Sequence, residues 1–198
     1  MSERNGITVP EGMRYIERPR LATMWGSDSD LDQAYEAHEC LILAEDEGKV
    51  ELYDEWTNSI HGNPGDVLAV LPKLIGKVDA IEVGAGWANQ LTGCVNAFLR
   101  NFFRDSHIVI FGVAISHEEP RKTDAAILSI TELPRSEVVY RDYLGSEGAL
   151  RAAQDMITGL YPIIQLRDLE DKPAIRRSIE DAAAIGWEKR LQRQQKQH

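Results

Sequence analysis

Residues 108–115 read Ile-Val-Ile-Phe-Gly-Val-Ala-Ile, almost wholly apolar and rich in β-branched side chains. β-branched residues suit a pleated, packed surface. A strand with no polar alternation must be covered on both faces, which places this run at the centre of a sheet. Helices supply that cover, so the chain is directed toward layered α and β structure. Residues 78–83 form a second apolar strand. Residues 125–133 are expected as a strand that pairs with 108–115 in a hairpin, and residues 138–140 as a further short strand. The expected class is α/β (or α+β): a small mixed sheet containing a hairpin, covered by helices.

Helices are expected where apolar residues recur every three to four positions. Leu31, Ala34, Tyr35, His38, Leu41 and Ile42 fit one helix, opened by Ser27 or Asp28 as a cap. A hairpin about Glu47-Gly48 is the rival for the end of that stretch. Asp66 opens a helix that reaches Leu74. Trp87, Leu91, Val95 and Leu99 mark an amphipathic helix to about Phe103, with Trp87 on its core face. Ser146 opens another, with Leu150, Ala153, Met156 and Leu160 inward. A last helix follows Pro173.

The order of these signals gives four parts: an extended arm (1–26), an acidic helical segment (27–66), an α/β core (67–191) and a frayed basic tail (192–198). The strongest break is His61-Gly62-Asn63-Pro64-Gly65.

Charge is lopsided. Twelve carboxylates and a single base, Lys49, lie between Ser27 and Asp66, and the whole chain carries −10. Residues 172–198 carry seven bases and three acids. A net charge of −10 speaks against direct nucleic-acid binding, which depends on Lys and Arg neutralising phosphates. Nothing in the sequence approaches the ~20 apolar residues of a membrane helix. Cys40 and Cys94 match no zinc spacing. The expected location is cytoplasmic, or within a virion.

Residues 79–89 read Asp-Ala-Ile-Glu-Val-Gly-Ala-Gly-Trp-Ala-Asn. This strand, acidic-apolar-Gly-x-Gly turn and following helix resemble the first glycine motif of S-adenosylmethionine-dependent methyltransferases. The resemblance implies that Gly84, Gly86 and Asn89 approach a bound cofactor, because glycine permits a tight turn and close backbone contact. That family's acidic ribose-binding residue would fall at Ala114, and its third small residue at Asn89. The rival is a turn, or tight packing, without a ligand.

Other motifs are incomplete. The acidic run from Asp28 to Asp32 lacks the glycine of a calcium loop, where Gln33 stands instead. His117-Glu118-Glu119 has the chemistry for metal or proton transfer but no further ligands, and a solvated loop accounts for it. No nucleophile elbow, phosphate-binding loop or His-Glu-x-x-His motif occurs.

The sequence is therefore read as a non-catalytic component that works by protein–protein association. A homo-oligomer or a viral-particle subunit would fit, with self-association or a basic protein as partner. Trp25, Asp28, Asp32, Glu36, Glu39 and Trp56 form one expected interface, and Arg176, Arg177, Lys189 and Arg190 its counterpart. No cofactor or metal is expected under this reading. The alternatives are a methyltransferase-like enzyme, with S-adenosylmethionine as its cofactor, and an acidic decoy that occupies a nucleic-acid-binding protein.

Overall fold

A computed structural model of the chain describes residues 2–4, 7–132, 137–166 and 178–195. It divides into two compact units, Met1–Gln165 and Leu166–His198.

The first unit is built on five parallel strands: β4 (Arg20–Trp25), β5 (Glu51–Thr57), β6 (Ala80–Ala85), β7 (Val109–Ala114) and β8 (Val138–Val139). Their spatial order is β5-β4-β6-β7-β8. Three short strands precede them: β1 (Ser2–Arg4), β2 (Ile7–Val9) and β3 (Met13–Tyr15). β1 pairs antiparallel with β2, and β3 with β9 (Leu160–Pro162). The α/β class is as expected, and the strands expected at residues 78–83 and 108–115 correspond to β6 and β7, two of the three inner strands.

Helices cover both faces. α1 (Asp28–Gln33), α2 (Tyr35–Asp46) and α6 (Gly145–Ile157) share a core with Leu21, Trp25, Val109, Phe111 and Val113. On the other face, α3 (Pro64–Leu74) and α4 (Gln90–Ala97) bury Val67, Leu71, Leu91 and Val95 against Ala22, Met24, Ile81 and Val83. α4 runs on into a π-helical turn, Phe98–Phe102. α5 (Pro120–Thr131) sets Ala126 and Ile130 against Ala114. In parallel βαβ units the crossover keeps one hand. The chain steps outward from β4 to β5, then returns across β4 to β6, so the helices on either side of that reversal take opposite faces.

Four expectations need correction. Residues 125–133 do not form the second arm of a hairpin. Ala126 and Ile130, four apart, face the sheet while Leu128 stays exposed, so the stretch is helical. Residues 20–25, assigned to the arm, form an inner strand because Leu21, Ala22, Met24 and Trp25 are all buried. The acidic segment is not wholly helical: β5 is an edge strand whose outward side carries carboxylates. Helix α4 begins three residues after Trp87, which is 62% exposed and off the core face.

A polar lock closes the amino-terminal edge of the sheet. The Asp79 carboxylate accepts from the Arg20 backbone N–H (2.8 Å) and its guanidinium (3.0 and 2.9 Å). It also accepts from His107 Nε2 at 2.6 Å, while the Arg14 guanidinium donates to His107 Nδ1. Burial pulls this carboxyl upward, but the Arg20 and His107 hydrogen bonds outweigh it and hold its pKa at about 2. A depressed acid stabilises above its unfolded value of 3.8 and loses that contribution as pH falls toward 2. Asp79→Asn should therefore lower stability by about 2 kcal/mol near neutral pH. Denaturant titrations should show the gap to the parent narrowing between pH 3.8 and 2.

The second unit contains α7 (Ile179–Gln195). Its helix continues into residues expected to fray. Within it the Arg190 guanidinium lies 5.2 Å from the centroid of the Trp187 ring. Pro173, Arg176 and Arg177 lie outside the described residues, and of Lys189 only its place in α7 is described.

Candidate active site

In an open parallel sheet, ligands bind beyond the carboxyl ends of the strands, at the point where strand order reverses. Here that point falls between β4 and β6. A cleft of about 750 Å³ opens there, within the range of small-molecule sites. Four segments contribute to its lining, drawn from residues 26–33, 59–61, 85–91 and 115–118.

Each switch-point strand ends in a glycine-containing turn. Trp25 pairs with Gly84 across the two strands, and the Gly26 N–H donates to the Gly84 carbonyl at 2.9 Å. A Cβ on Gly84 would lie 2.2 Å from the Trp25 ring, and one on Gly26 would lie 2.7 Å from Ala85 Cβ. Only glycine lets the two chain ends approach this closely. Beyond them Trp87 (φ 56°) and Asn89 (φ 30°) hold left-handed backbone, a conformation that non-glycine residues adopt at a cost.

Asp30 ties the two turns together. It is 9% exposed, and its Oδ1 accepts from the Gly86 N–H at 3.1 Å. Its own N–H donates to Ser27 Oγ. Burial pushes its carboxyl above the usual range, against the opposing pull of hydrogen bonds from Ser27 and Gly86. A buried carboxyl in a cleft, slow to release its proton, has the character of a proton-transfer group.

His61 enters from the loop after β5. Its Nε2 lies 2.8 Å from Gln90 Oε1. On the opposite wall Gln33 and Ser116 are doubly joined: Gln33 Nε2 donates to the Ser116 carbonyl, and Ser116 Oγ donates to Gln33 Oε1. His117 Nδ1 accepts from the Glu119 N–H, which leaves the proton on Nε2.

The expected cofactor residues divide. Gly86 lines the cleft, while Gly84 lies beneath it against Trp25. Asn89 also lines it, but its side chain is committed to the fold. Nδ2 donates to the Val113 carbonyl, and Oδ1 accepts from the Thr92 N–H and hydroxyl. Asp30 and His61 line the cleft, and sequence reasoning assigned neither a site role. A signal was present. Residues 21–30 repeat the pattern of residues 80–90: an apolar strand, a glycine turn, then a helix.

Of the expected interface, the two tryptophans drop out. Trp25 is 1% exposed, and Trp56 packs against the core, so neither is a surface anchor. Asp28, Asp32, Glu36 and Glu39 do face outward, as expected. Three of the other acids turn elsewhere: Asp30 lines the cleft, Glu45 accepts from the Leu52 N–H, and Glu55 meets Thr23 and His38. Among those residues no group of three or more His, Cys, Asp or Glu could hold a metal ion, and no helix is long and apolar enough to cross a membrane.

No family model matches the chain, and no curated protein does. Solved structures do. The chain is similar to the crystal structure of Treponema denticola PurE, with a TM-score of 0.50 and 19% sequence identity over 86% of this chain and 96% of that one. With a built cleft at the switch point, this likeness overturns the reading of a non-catalytic assembly component and its methyltransferase and decoy alternatives. Nothing in the fold or the comparisons supports a viral or structural role. The chain has a Rossmann-like, PurE-type fold.

Proposed function

We propose that the chain is a small-molecule enzyme that works in the switch-point cleft and moves a proton between its substrate and the pair Asp30 and His61. One observation carries this reading. The cleft gathers, from segments far apart in sequence, the buried Asp30 carboxyl, whose pKa burial raises, and the imidazole of His61. General acid–base work needs such groups on one cavity wall.

The PurE likeness supports a choice of substrate class. PurE is a catalytic subunit of a phosphoribosyl-aminoimidazole carboxylase. By analogy of fold, the substrate here is a phosphorylated nitrogen heterocycle that gains or loses a carboxyl group at a ring carbon. When that carbon bonds to carbon dioxide it gives up its proton, and the His61 imidazole is the acceptor. Asp30 holds the Gly86 turn and orients the ligand's polar groups.

Calorimetry with aminoimidazole ribonucleotide, with and without bicarbonate, tests the proposal. Binding is expected for the parent, and His61→Asn should bind similarly while turnover falls by roughly 10²-fold. Absence of heat with the ribonucleotide, with the cleft intact by spectroscopy, would remove the PurE-type substrate class.

A further inference from the structure

The cleft has an electrostatic gap. Among the described residues that line it, none is Lys or Arg, and two are acids, Asp30 and Glu118. An anionic ligand entering such a cavity needs a cation, because burying an unpaired charge is costly. One cation is held at the rim. Lys122, in the first turn of α5, places its ammonium 3.7 Å from the centre of the Trp87 ring, and Trp87 itself lines the cleft. The Lys122 side chain is 16% exposed, and Nζ donates to Glu119 Oε1 at 2.6 Å. His117 meets the same indole edge-on at 5.7 Å.

We propose that Lys122, resting on the Trp87 ring, is the cation that recognises an oxyanion of the ligand, either phosphate or carboxylate, in the cleft. This rests on the cleft being the substrate site. The chemistry suits the task. An ammonium has three donors, and Glu119 takes one. A cation over an indole is attracted without using up its hydrogen-bonding capacity. The four-carbon stem lets the charge reach inward by side-chain rotation, while Trp87 keeps it near the opening in the absence of ligand. Trp87 has left-handed backbone and lines the cleft, and its ring is the resting place of the ammonium. Lys122 thus sets specificity for charge, whereas Asp30 and His61 carry the proton chemistry.

The test reads Trp87 directly. Inorganic phosphate is titrated into the full chain at constant ionic strength, and the Trp87 emission is isolated by difference against Trp87→Phe. Phosphate should perturb that emission in the parent. Lys122→Met should weaken the response about tenfold or more, and Lys122→Arg should retain most of it. The same series is run with aminoimidazole ribonucleotide and with its riboside, which lacks the phosphate. Lys122→Met should weaken the ribonucleotide and leave the riboside unchanged. A phosphate response that is absent in the parent, or equal in Lys122→Met and the parent, overturns the proposal. A Lys122-dependent phosphate response with no binding of the ribonucleotide upholds it, and removes the PurE-type substrate instead.

Discussion

Glu82→Gln should flatten the dependence of stability on pH above 4.5. Glu82 lies on β6, in the middle of the sheet, and is 0% exposed. Neither carboxyl oxygen has a hydrogen-bond partner. Burial, and secondarily the charge of Glu55, raise its pKa well above the usual 4.5. Thr23 stands beside it in register on β4, and donates its hydroxyl to Glu55. His38 of α2 meets the same Glu55 oxygen at 3.0 Å, and the Cys40 thiol is pushed up by burial and by the Glu82 charge. The folded state therefore keeps a proton that the unfolded chain has released. Stability is fullest below pH 4.5 and declines as pH rises toward the folded pKa, by about 1.4 kcal/mol for each pH unit crossed. Urea titrations of the parent from pH 4.5 upward should show that decline. Glu82→Gln should lack it, and in Glu55→Gln the decline should end at a somewhat lower pH, since Glu55 is the lesser cause of the raised pKa. Parallel curves for parent and Glu82→Gln would mean that the buried carboxyl does not govern the slope.

The unpartnered Glu82 explains why its strand could be read from the sequence while its chemistry could not. Ala80, Ile81 and Val83 announce a buried strand by hydrophobicity, and one acid does not erase that pattern. Residues 108–115 were legible for the same reason: a continuous apolar run has few places to go except the middle of a sheet. Residues 125–133 misled because Ile127, Ile130 and Thr131 carry strand propensity, while the spacing that decides for helix rests on two buried side chains, Ala126 and Ile130. β5 was obscured because an edge strand tolerates an acidic outer side. The cleft was hidden for a different reason. Asp30 and His61 are 31 positions apart, and only the reversal of strand order at β4 brings their loops to one opening. Charge counting drew attention to the acidic segment as a surface, but burial, not charge density, singles out Asp30 from its exposed neighbours Asp28 and Asp32.

Gly84→Ala should cost about 3 kcal/mol and disturb the cleft from beneath. The added methyl would sit 2.2 and 2.6 Å from two carbons of the Trp25 ring, so the ring or the strand must move by more than an ångström. Trp25 is 1% exposed and packed with the α2 and α6 core, which leaves the ring little room. Moving the strand instead shifts the Gly84 carbonyl, which accepts from the Gly26 N–H, and with it the start of the turn that Asp30 holds at Gly86. Both routes loosen the same pair of turns, so ligand affinity should fall along with stability. Trp25→Leu alone leaves a cavity and should cost a similar amount. Combined, the two changes should be less damaging than their sum by at least about 1 kcal/mol, because the new methyl fills space that the indole vacates. Denaturant midpoints for the two single variants and the double variant measure this coupling. Strict additivity would show that the indole does not rest on Gly84, and the account of why glycine ends β6 would fail with it.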